Sequence, residues 1–69
     1  MSTKLYDLEK GSRIKVTTNQ GEKIIIFDHI DGMYSYCYLE EDHTQLAHLK
    51  AWTELEKVDD YYILINTEK

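Results

Sequence analysis

The Asp31-Gly32 pair stands between two strand-like segments and constrains the fold of this chain more than any other feature. Residues 22–30 before it are rich in isoleucine, and residues 33–40 after it place tyrosine at every second position from 34 to 38. Asp-Gly between two such runs is a strong β-hairpin signal, because a two-residue turn needs positive φ angles that these residues tolerate. The sequence therefore predicts a long hairpin over residues 22–40.

The register of this hairpin decides which residues share a face of the sheet. With Asp31-Gly32 in the turn, Ile30 lies opposite Met33 and His29 lies opposite Tyr34, and opposed residues lie on the same face. The first face then carries Ile24, Ile26, Ile30, Met33, Cys37 and Leu39. The second carries Ile25, Phe27, His29, Tyr34, Tyr36 and Tyr38. We expect the first face to form the core, whereas the second is either further core or a binding platform.

The size of the chain bounds what it can contain. Its 69 residues predict a single domain, residues 1–69, with one small core. Cys37 is the only cysteine, which excludes a disulfide within the chain and is typical of a buried thiol in a reducing compartment. The longest apolar run, Ile24 to Phe27, is too short to span a membrane, and no signal-like segment begins the sequence. We therefore expect a cytoplasmic protein that does not bind membranes.

Patterns outside the hairpin predict the remaining elements. Ser2 or Thr3 can cap one or two helical turns that end at Gly11. Strands are expected at residues 13–18, 45–50 and 61–65, and a polar loop at residues 41–44. Thr53 and Glu56 have the spacing of a capping box, which predicts a single helical turn before the last strand.

This order of elements resembles that of the SH3-like small barrels, which include the Sm-like proteins and the KOW-type domains. The resemblance extends from Gly11 through Asp31-Gly32 to Val58 and consists of strand lengths and turns. It implies a mainly β fold: a small five-stranded antiparallel SH3-like barrel with a short N-terminal helix and a helical turn before the last strand.

The functional motifs of these families do not carry over. Sm-like RNA sites have a short loop with Arg or Lys and Gly before the last strand. At this place the chain has residues 54–60, which are mostly acidic. The SH3 peptide-binding motif Ala-Leu-Tyr-Asp-Tyr finds its nearest counterpart in residues 4–8, which lack the second aromatic residue. Fold resemblance alone does not supply a function.

Catalytic and metal-binding patterns are weak. Cys37 and His29 are predicted on opposite faces of the hairpin, so they cannot form a nucleophile and its base. His43, His48 and Asp42 lack the paired ligand spacing of zinc sites, and the glycines form no phosphate-binding loop. We predict that the chain is not an enzyme and uses no metal or cofactor.

The tyrosines are the strongest candidates for function. The predicted binding residues are Tyr34, Tyr36, Tyr38 and His29, flanked by Glu40, Glu41 and Asp42. Exposed tyrosines can stack on nucleic-acid bases or anchor a protein interface. The net charge of -5, from 13 acidic and 8 basic side chains, disfavours binding to phosphate backbones and so favours a protein partner.

The sequence therefore predicts a small acidic protein-binding module, of the accessory or inhibitor kind that bacteria and phages direct at larger complexes. Two other functions stay open. One is an Sm-like or KOW-like nucleic-acid-binding barrel that uses Arg13 and Lys15, and the other is self-assembly into a homo-oligomer through the tyrosines. Trp52 is expected to fill the core.

Overall fold

A computed structural model describes residues 2–65 and shows a mainly β protein built around one mixed sheet. The seven strands are β1 (Ser2–Lys4), β2 (Arg13–Thr18), β3 (Gly21–Asp31), β4 (Tyr34–Leu39), β5 (Asp42–Ala47), β6 (Glu54–Val58) and β7 (Tyr61–Leu64). Their order across the sheet is β1-β6-β7-β2-β3-β4-β5. Neighbouring strands are antiparallel except β2 and β7, which are parallel. The predicted mainly β class is confirmed, and the predicted five-stranded barrel is wrong.

The N-terminal segment is not the predicted helix. Ser2–Lys4 is extended and pairs with β6, and only Leu5–Asp7 forms a single 3₁₀ turn. Leu5 is fully buried, and Leu8 is nearly so. Pairing with a distant strand and burial of two leucines therefore outweigh the local capping signal.

The helical turn predicted from the capping box is also a strand. Glu54–Val58 runs between β1 and β7. The Thr53 hydroxyl donates to the backbone oxygen of Lys50 at 2.7 Å, and Glu56 pairs with Ser2 in the sheet, so the capping box does not form. The predicted polar loop at residues 41–44 is shorter than expected, because β5 already begins at Asp42.

The β3–β4 hairpin is present, but its turn lies one residue later than predicted. Asp31 and Tyr34 are opposed, so Gly32 and Met33 form the turn. Gly32 has a φ of 68° and Met33 has no positive φ, as in a type II′ turn with glycine first. The predicted register is therefore wrong, and His29 lies opposite Tyr36 instead of Tyr34.

A bulge at Asp28 reverses which β3 side chains face the core in the half of the hairpin that is remote from the turn. Phe27 lies opposite Cys37 and His29 lies opposite Tyr36, so Asp28 has no partner on β4. An extra residue in one strand reverses the alternation on either side of it. Ile25 and Phe27 were predicted on the tyrosine face, but they belong to the core, and Ile26 lies instead on the face of Tyr38.

The core occupies one face of the sheet. Its buried hydrophobic residues are Leu5, Leu8, Ile14, Ile25, Phe27, Cys37 and Leu55. Partly buried side chains such as Val16, Ile30 and Leu39 pack against this cluster. Cys37 is fully buried, as the sequence predicts.

The segment between β5 and β6 contacts both β4 and the residue that follows β1. Ser35 donates its amide to the oxygen of Leu49 at 2.8 Å, which ties the segment to the start of β4. Leu5 donates its amide to the oxygen of Thr53 at 2.8 Å, which ties the segment to the chain directly after β1.

Candidate functional site

The face of the sheet opposite the core carries most of the aromatic side chains of the described residues. We define this aromatic face by Tyr34, Tyr36, Tyr38, His29, His43, His48 and Trp52. Tyr34 is 49% exposed, Tyr36 37% and Trp52 47%, whereas Tyr38 is half-buried. Exposed large aromatic side chains grouped in this way are typical of interaction surfaces. The sequence leaves open whether the tyrosines are buried in the core or exposed on a surface. The structure shows that Tyr34 and Tyr36 are exposed.

Tyr36 lies at the centre of a row of three rings. His29 on β3 stacks on Tyr36, with ring centroids 5.0 Å apart and ring planes 10° from parallel. His48 approaches the same ring edge-on, at 4.9 Å and 77°. The hairpin register places His29 beside Tyr36, and the segment that follows β5 brings His48 to its other side.

Tyr38 forms a second contact of the same kind. Its ring lies 4.4 Å from the ring of His43 on β5, tilted by 54°. Ile26 on β3 and Leu46 on β5 lie opposite Tyr38 on its two sides. Leu46 is 56% exposed, so the aromatic face continues into apolar surface.

The two histidines that flank Tyr36 are each held through Nδ1. His29 Nδ1 contacts the Asp28 carboxylate, and this hydrogen bond lowers the pKa of Asp28 below its ordinary value, helped by the charge of Lys10. His48 Nδ1 lies 3.0 Å from the backbone oxygen of Ser35. In both cases the nitrogen faces an oxygen that can only accept a hydrogen bond.

Ser35 and Cys37 lie directly beneath this row, on the core side. Ser35 is fully buried, and its hydroxyl accepts a hydrogen bond from the Leu49 amide at 3.2 Å and contacts the Cys37 sulfur at 3.4 Å. Burial raises the pKa of the Cys37 thiol. Cys37 and His29 lie on opposite faces, as predicted from the sequence.

The acidic residues predicted to flank the tyrosines are bound within the chain. Arg13 Nη2 donates to Glu40 Oε1 at 3.3 Å. Lys23 Nζ lies 3.0 Å from Glu41 Oε2. The third acidic residue, Asp42, lies opposite Leu39, on the other face from Tyr38.

The carboxylate of Asp42 organises the start of β5. It accepts hydrogen bonds from the hydroxyl and amide of Thr44 at 2.6 and 3.1 Å, and from the Gln45 side chain at 3.1 Å. These bonds, that of the Thr44 hydroxyl first, lower the pKa of Asp42. Asp42 is therefore a structural residue of the β4–β5 turn.

The basic side chains in residues 2–65 are all engaged by neighbours. Five of them lie within 4 Å of a carboxylate: Lys4, Lys10, Arg13, Lys15 and Lys23. Lys50 and Lys57 lie over the rings of Trp52 and Tyr62, 6.0 and 5.9 Å from their centroids. This part of the chain presents no cluster of unpaired positive charge.

Sequence reasoning missed three members of the aromatic face. Trp52 was expected in the core, and this expectation is wrong, because its side chain is about half exposed. The sequence offers His43 and His48 only as metal ligands or as a catalytic base, with His48 near Cys37 as one alternative. Alternation in residues 48–52 carries the signal: His48, Lys50 and Trp52 are exposed, whereas Leu49 and Ala51 are partly or fully buried.

No three His, Cys, Asp or Glu side chains of residues 2–65 are grouped so as to hold a metal ion. No helix there has the length and apolar character needed to cross a membrane.

Comparison of the chain with family models, curated proteins and solved structures finds no match.

Proposed function

We propose that this chain is a small acidic protein-binding module and that the aromatic face is its binding surface. The module acts in the cytoplasm as an accessory or inhibitory subunit of a larger bacterial or phage complex. The observation that carries the proposal is the exposure of Tyr34 and Tyr36 on one face of the sheet, with Trp52 exposed beside Lys50, the bridge partner of Tyr34. Tyrosine and tryptophan dominate the energetics of protein interfaces, because each buries a large area for little loss of conformational freedom.

The charges support a protein partner over a nucleic acid. Base-stacking surfaces normally lie in a groove lined with free Lys and Arg side chains. Here Arg13 and Lys15, the residues that a nucleic-acid site would use, bind Glu40 and Glu22. Phosphate groups would have to compete with these carboxylates and with the net charge of -5.

A relationship to the SH3-like small barrels remains part of the proposal at the level of the fold class. The hydrogen bonds of Leu49 and Thr53, which tie one segment to β4 and to the residue that follows β1, support it. The strand count and the extended N-terminal segment distinguish this chain from the five-stranded layout.

Affinity capture tests the proposal directly. Tagged wild-type protein is incubated with bacterial lysate beside a variant with Tyr34, Tyr36 and Tyr38 changed to Ser. A Tyr6→Ser variant is the matched control, because Tyr6 is 53% exposed and lies outside the aromatic face. We expect one protein to be retained by the wild type and by Tyr6→Ser, and lost by the triple variant.

Folding of each variant is checked by its amide NMR spectrum. Retention of the same protein by a folded triple variant would contradict the assignment of the face. Capture of RNA or DNA alone, with an affinity that falls steeply with salt, would favour the nucleic-acid alternative. Recovery of only further copies of the chain itself would favour self-assembly.

A further inference from the structure

The turn of the β3–β4 hairpin places an exposed carboxylate beside an unshielded peptide nitrogen. Asp31, Gly32 and Met33 are all exposed. Apart from the two chain neighbours of Gly32, no residue has a heavy atom within 4 Å of the position that a Cβ would occupy there. A peptide nitrogen that belongs to glycine is the most open to attack on the preceding side chain, because no side chain of its own obstructs the approach. The turn therefore holds two groups that can react with each other.

The carboxylate of Asp31 is free, whereas neighbouring aspartates along the chain are bound. The Asp28 carboxylate contacts His29, and that of Asp42 accepts hydrogen bonds from Thr44. No group in residues 2–65 donates a hydrogen bond to the Asp31 carboxylate, and no basic side chain there forms an ion pair with it. This side chain can therefore turn towards its own backbone without breaking another contact.

The two sides of the turn are held unequally. On the β4 side, the oxygen of Met33 accepts a hydrogen bond from the Ala51 amide at 2.9 Å. On the β3 side, Asp31 is paired only with Tyr34, at the end of the ladder, and the Gly32 amide has no backbone acceptor among residues 2–65. Terminal pairs of a ladder open at little cost in free energy. Asp31 can therefore leave its extended conformation and bring Cγ onto the Gly32 nitrogen.

We infer that Asp31-Gly32 is a site of spontaneous backbone modification, at which the aspartyl linkage converts to an isoaspartyl linkage. The Gly32 nitrogen forms a bond to Cγ of Asp31, and the carboxyl hydroxyl leaves with the amide hydrogen as one water molecule, which closes a succinimide ring. Water then adds to one of the two ring carbonyls. Cleavage at Cγ regenerates aspartate, whereas cleavage at the backbone carbonyl leaves Gly32 bonded through Cγ and frees the α-carboxylate. No electrons are transferred, and no co-reactant other than water is needed.

The isoaspartyl form lengthens the main chain of the turn by one methylene group. A two-residue turn sets the register of its hairpin, and an additional backbone atom does not fit its geometry. Tyr34, which lies opposite Asp31, is the first residue of β4 and belongs to the aromatic face. The conversion therefore displaces Tyr34 from its bridge to Lys50. This chemistry needs no partner protein and is independent of the proposed function.

Ageing of the purified protein tests the site. The wild type is incubated for several weeks at 37 °C and pH 7.4, digested, and mapped by mass spectrometry with fragmentation that distinguishes isoaspartate from aspartate. An unaged sample digested in parallel corrects for conversion during digestion. We expect isoaspartate at position 31 to exceed that at each other aspartate by about tenfold or more, because only Asp31 is followed by glycine.

Asp31→Glu is the matched control, because it keeps the charge while attack by the Gly32 nitrogen would have to close a larger and less favourable ring. This variant should show no conversion at position 31. A parallel incubation of the wild type in guanidinium chloride gives the extent of conversion in the unfolded chain. Conversion in denaturant alone, or a native level at Asp31 no higher than at the other aspartates, would overturn the inference.

The isoaspartyl fraction, separated by chromatography, reports the structural consequence. We expect its amide NMR signals to shift at Tyr34 and Lys50 and to stay unchanged at Ile25 and Leu39, which pair at the other end of the hairpin. Unchanged signals at Tyr34 and Lys50 would show that the turn absorbs the additional methylene group, and would refute the predicted displacement of Tyr34.

Discussion

Ser35 links the interior of the molecule to its aromatic face. Its side chain is fully buried and accepts a hydrogen bond from Leu49, while its backbone oxygen faces His48 on the opposite side of the sheet. One residue therefore positions both the segment that follows β5 and an imidazole of the candidate site. We assign the Ser35 hydroxyl a structural role and not a catalytic one, because its second contact is the thiol of Cys37.

Replacing Ser35 with Ala should lower the free energy of unfolding by about 1–2 kcal/mol, because the Leu49 amide loses its acceptor in a partly buried position. Urea denaturation followed by circular dichroism measures the change. Ser12→Ala is the matched control, since the Ser12 hydroxyl donates to Glu9 at an exposed position. Equal effects of the two substitutions would argue against a special role for Ser35.

Cys37 should be chemically inert in the folded protein. It is fully buried, and burial raises the pKa of its thiol, so the reactive thiolate is scarce in the native state even at pH 8. Alkylation by iodoacetamide, followed by mass spectrometry, should be on the order of 100-fold slower in buffer than in urea, because access requires opening of the core. Rapid labelling of the native protein would place Cys37 at the surface.

At the scale of elements, the Asp28 bulge determines which isoleucines of β3 lie in the core. Ile25 is 2% exposed, whereas Ile24, its neighbour, is only half-buried and lies on the other face. Without the bulge Ile24 and Ile26, and not Ile25 and Phe27, would share a face of the sheet with Cys37. The pairing of His29 with Tyr36 does not depend on the bulge, because it follows from the position of the turn.

Changing Ile25 to Ala should cost about 3–4 kcal/mol of stability, and changing Ile24 to Ala about 1 kcal/mol, because only the first leaves a cavity in the core. The two variants remove the same atoms from adjacent positions, so each is the control for the other. Urea unfolding of both proteins measures the difference. If Ile24→Ala were the more destabilising of the two substitutions, the result would support a hairpin register without a bulge.

The β4–β5 turn should make stability sensitive to acid through Asp42. Hydrogen bonds lower the pKa of this carboxyl in the folded state, so its contribution is present above its unfolded pKa of about 3.9 and is lost as the pH falls through the lower folded value. The melting temperature of the wild type should therefore exceed that of Asp42→Asn at pH 7, and the gap should close towards pH 2. A gap that does not change with pH would show that Asp42 acts by packing alone.

The elements that the sequence predicted well are those with a strong local pattern. Arg13 to Thr18 alternates cleanly and forms β2 with the expected bounds, and the aromatic and β-branched residues from Tyr61 form β7. The predictions failed where a local signal competed with a distant partner, as at Thr53 and in the N-terminal segment. The site was predicted in part: Tyr34, Tyr36 and His29 lie together on the exposed face, but a bulge cannot be read from alternation, and so Ile25 and Phe27 were assigned to the wrong side.

At the scale of the whole molecule, both edges of the sheet are poorly suited to pairing with another chain. β1 has only three residues, and the pairing of β5 with β4 is interrupted by a register shift beside Leu39. Short and irregular edge strands are a common way to prevent sheet-to-sheet association. These edges therefore disfavour self-assembly by strand pairing.

We expect the isolated protein to be a monomer at millimolar concentration. Sedimentation equilibrium tests this, with Tyr36→Ser as the comparison variant. A dimer that dissociates in Tyr36→Ser would favour the self-assembly alternative over a separate partner protein. A dimer unaffected by that substitution would instead indicate pairing through an edge strand.

The pairing of β1 with β6 has a consequence for biosynthesis. Lys4 and Glu54, which form an ion pair across these strands, are 50 residues apart in the chain. While the ribosome is still translating the middle of the message, the first strand has no partner, and Leu5 has no Leu55 to pack against. Contacts so remote in sequence slow folding, because a long loop must close before they form. The last part of the chain to be synthesised therefore completes the structure of the first, and a stalled or truncated product would leave its N-terminus unpaired and open to proteolysis.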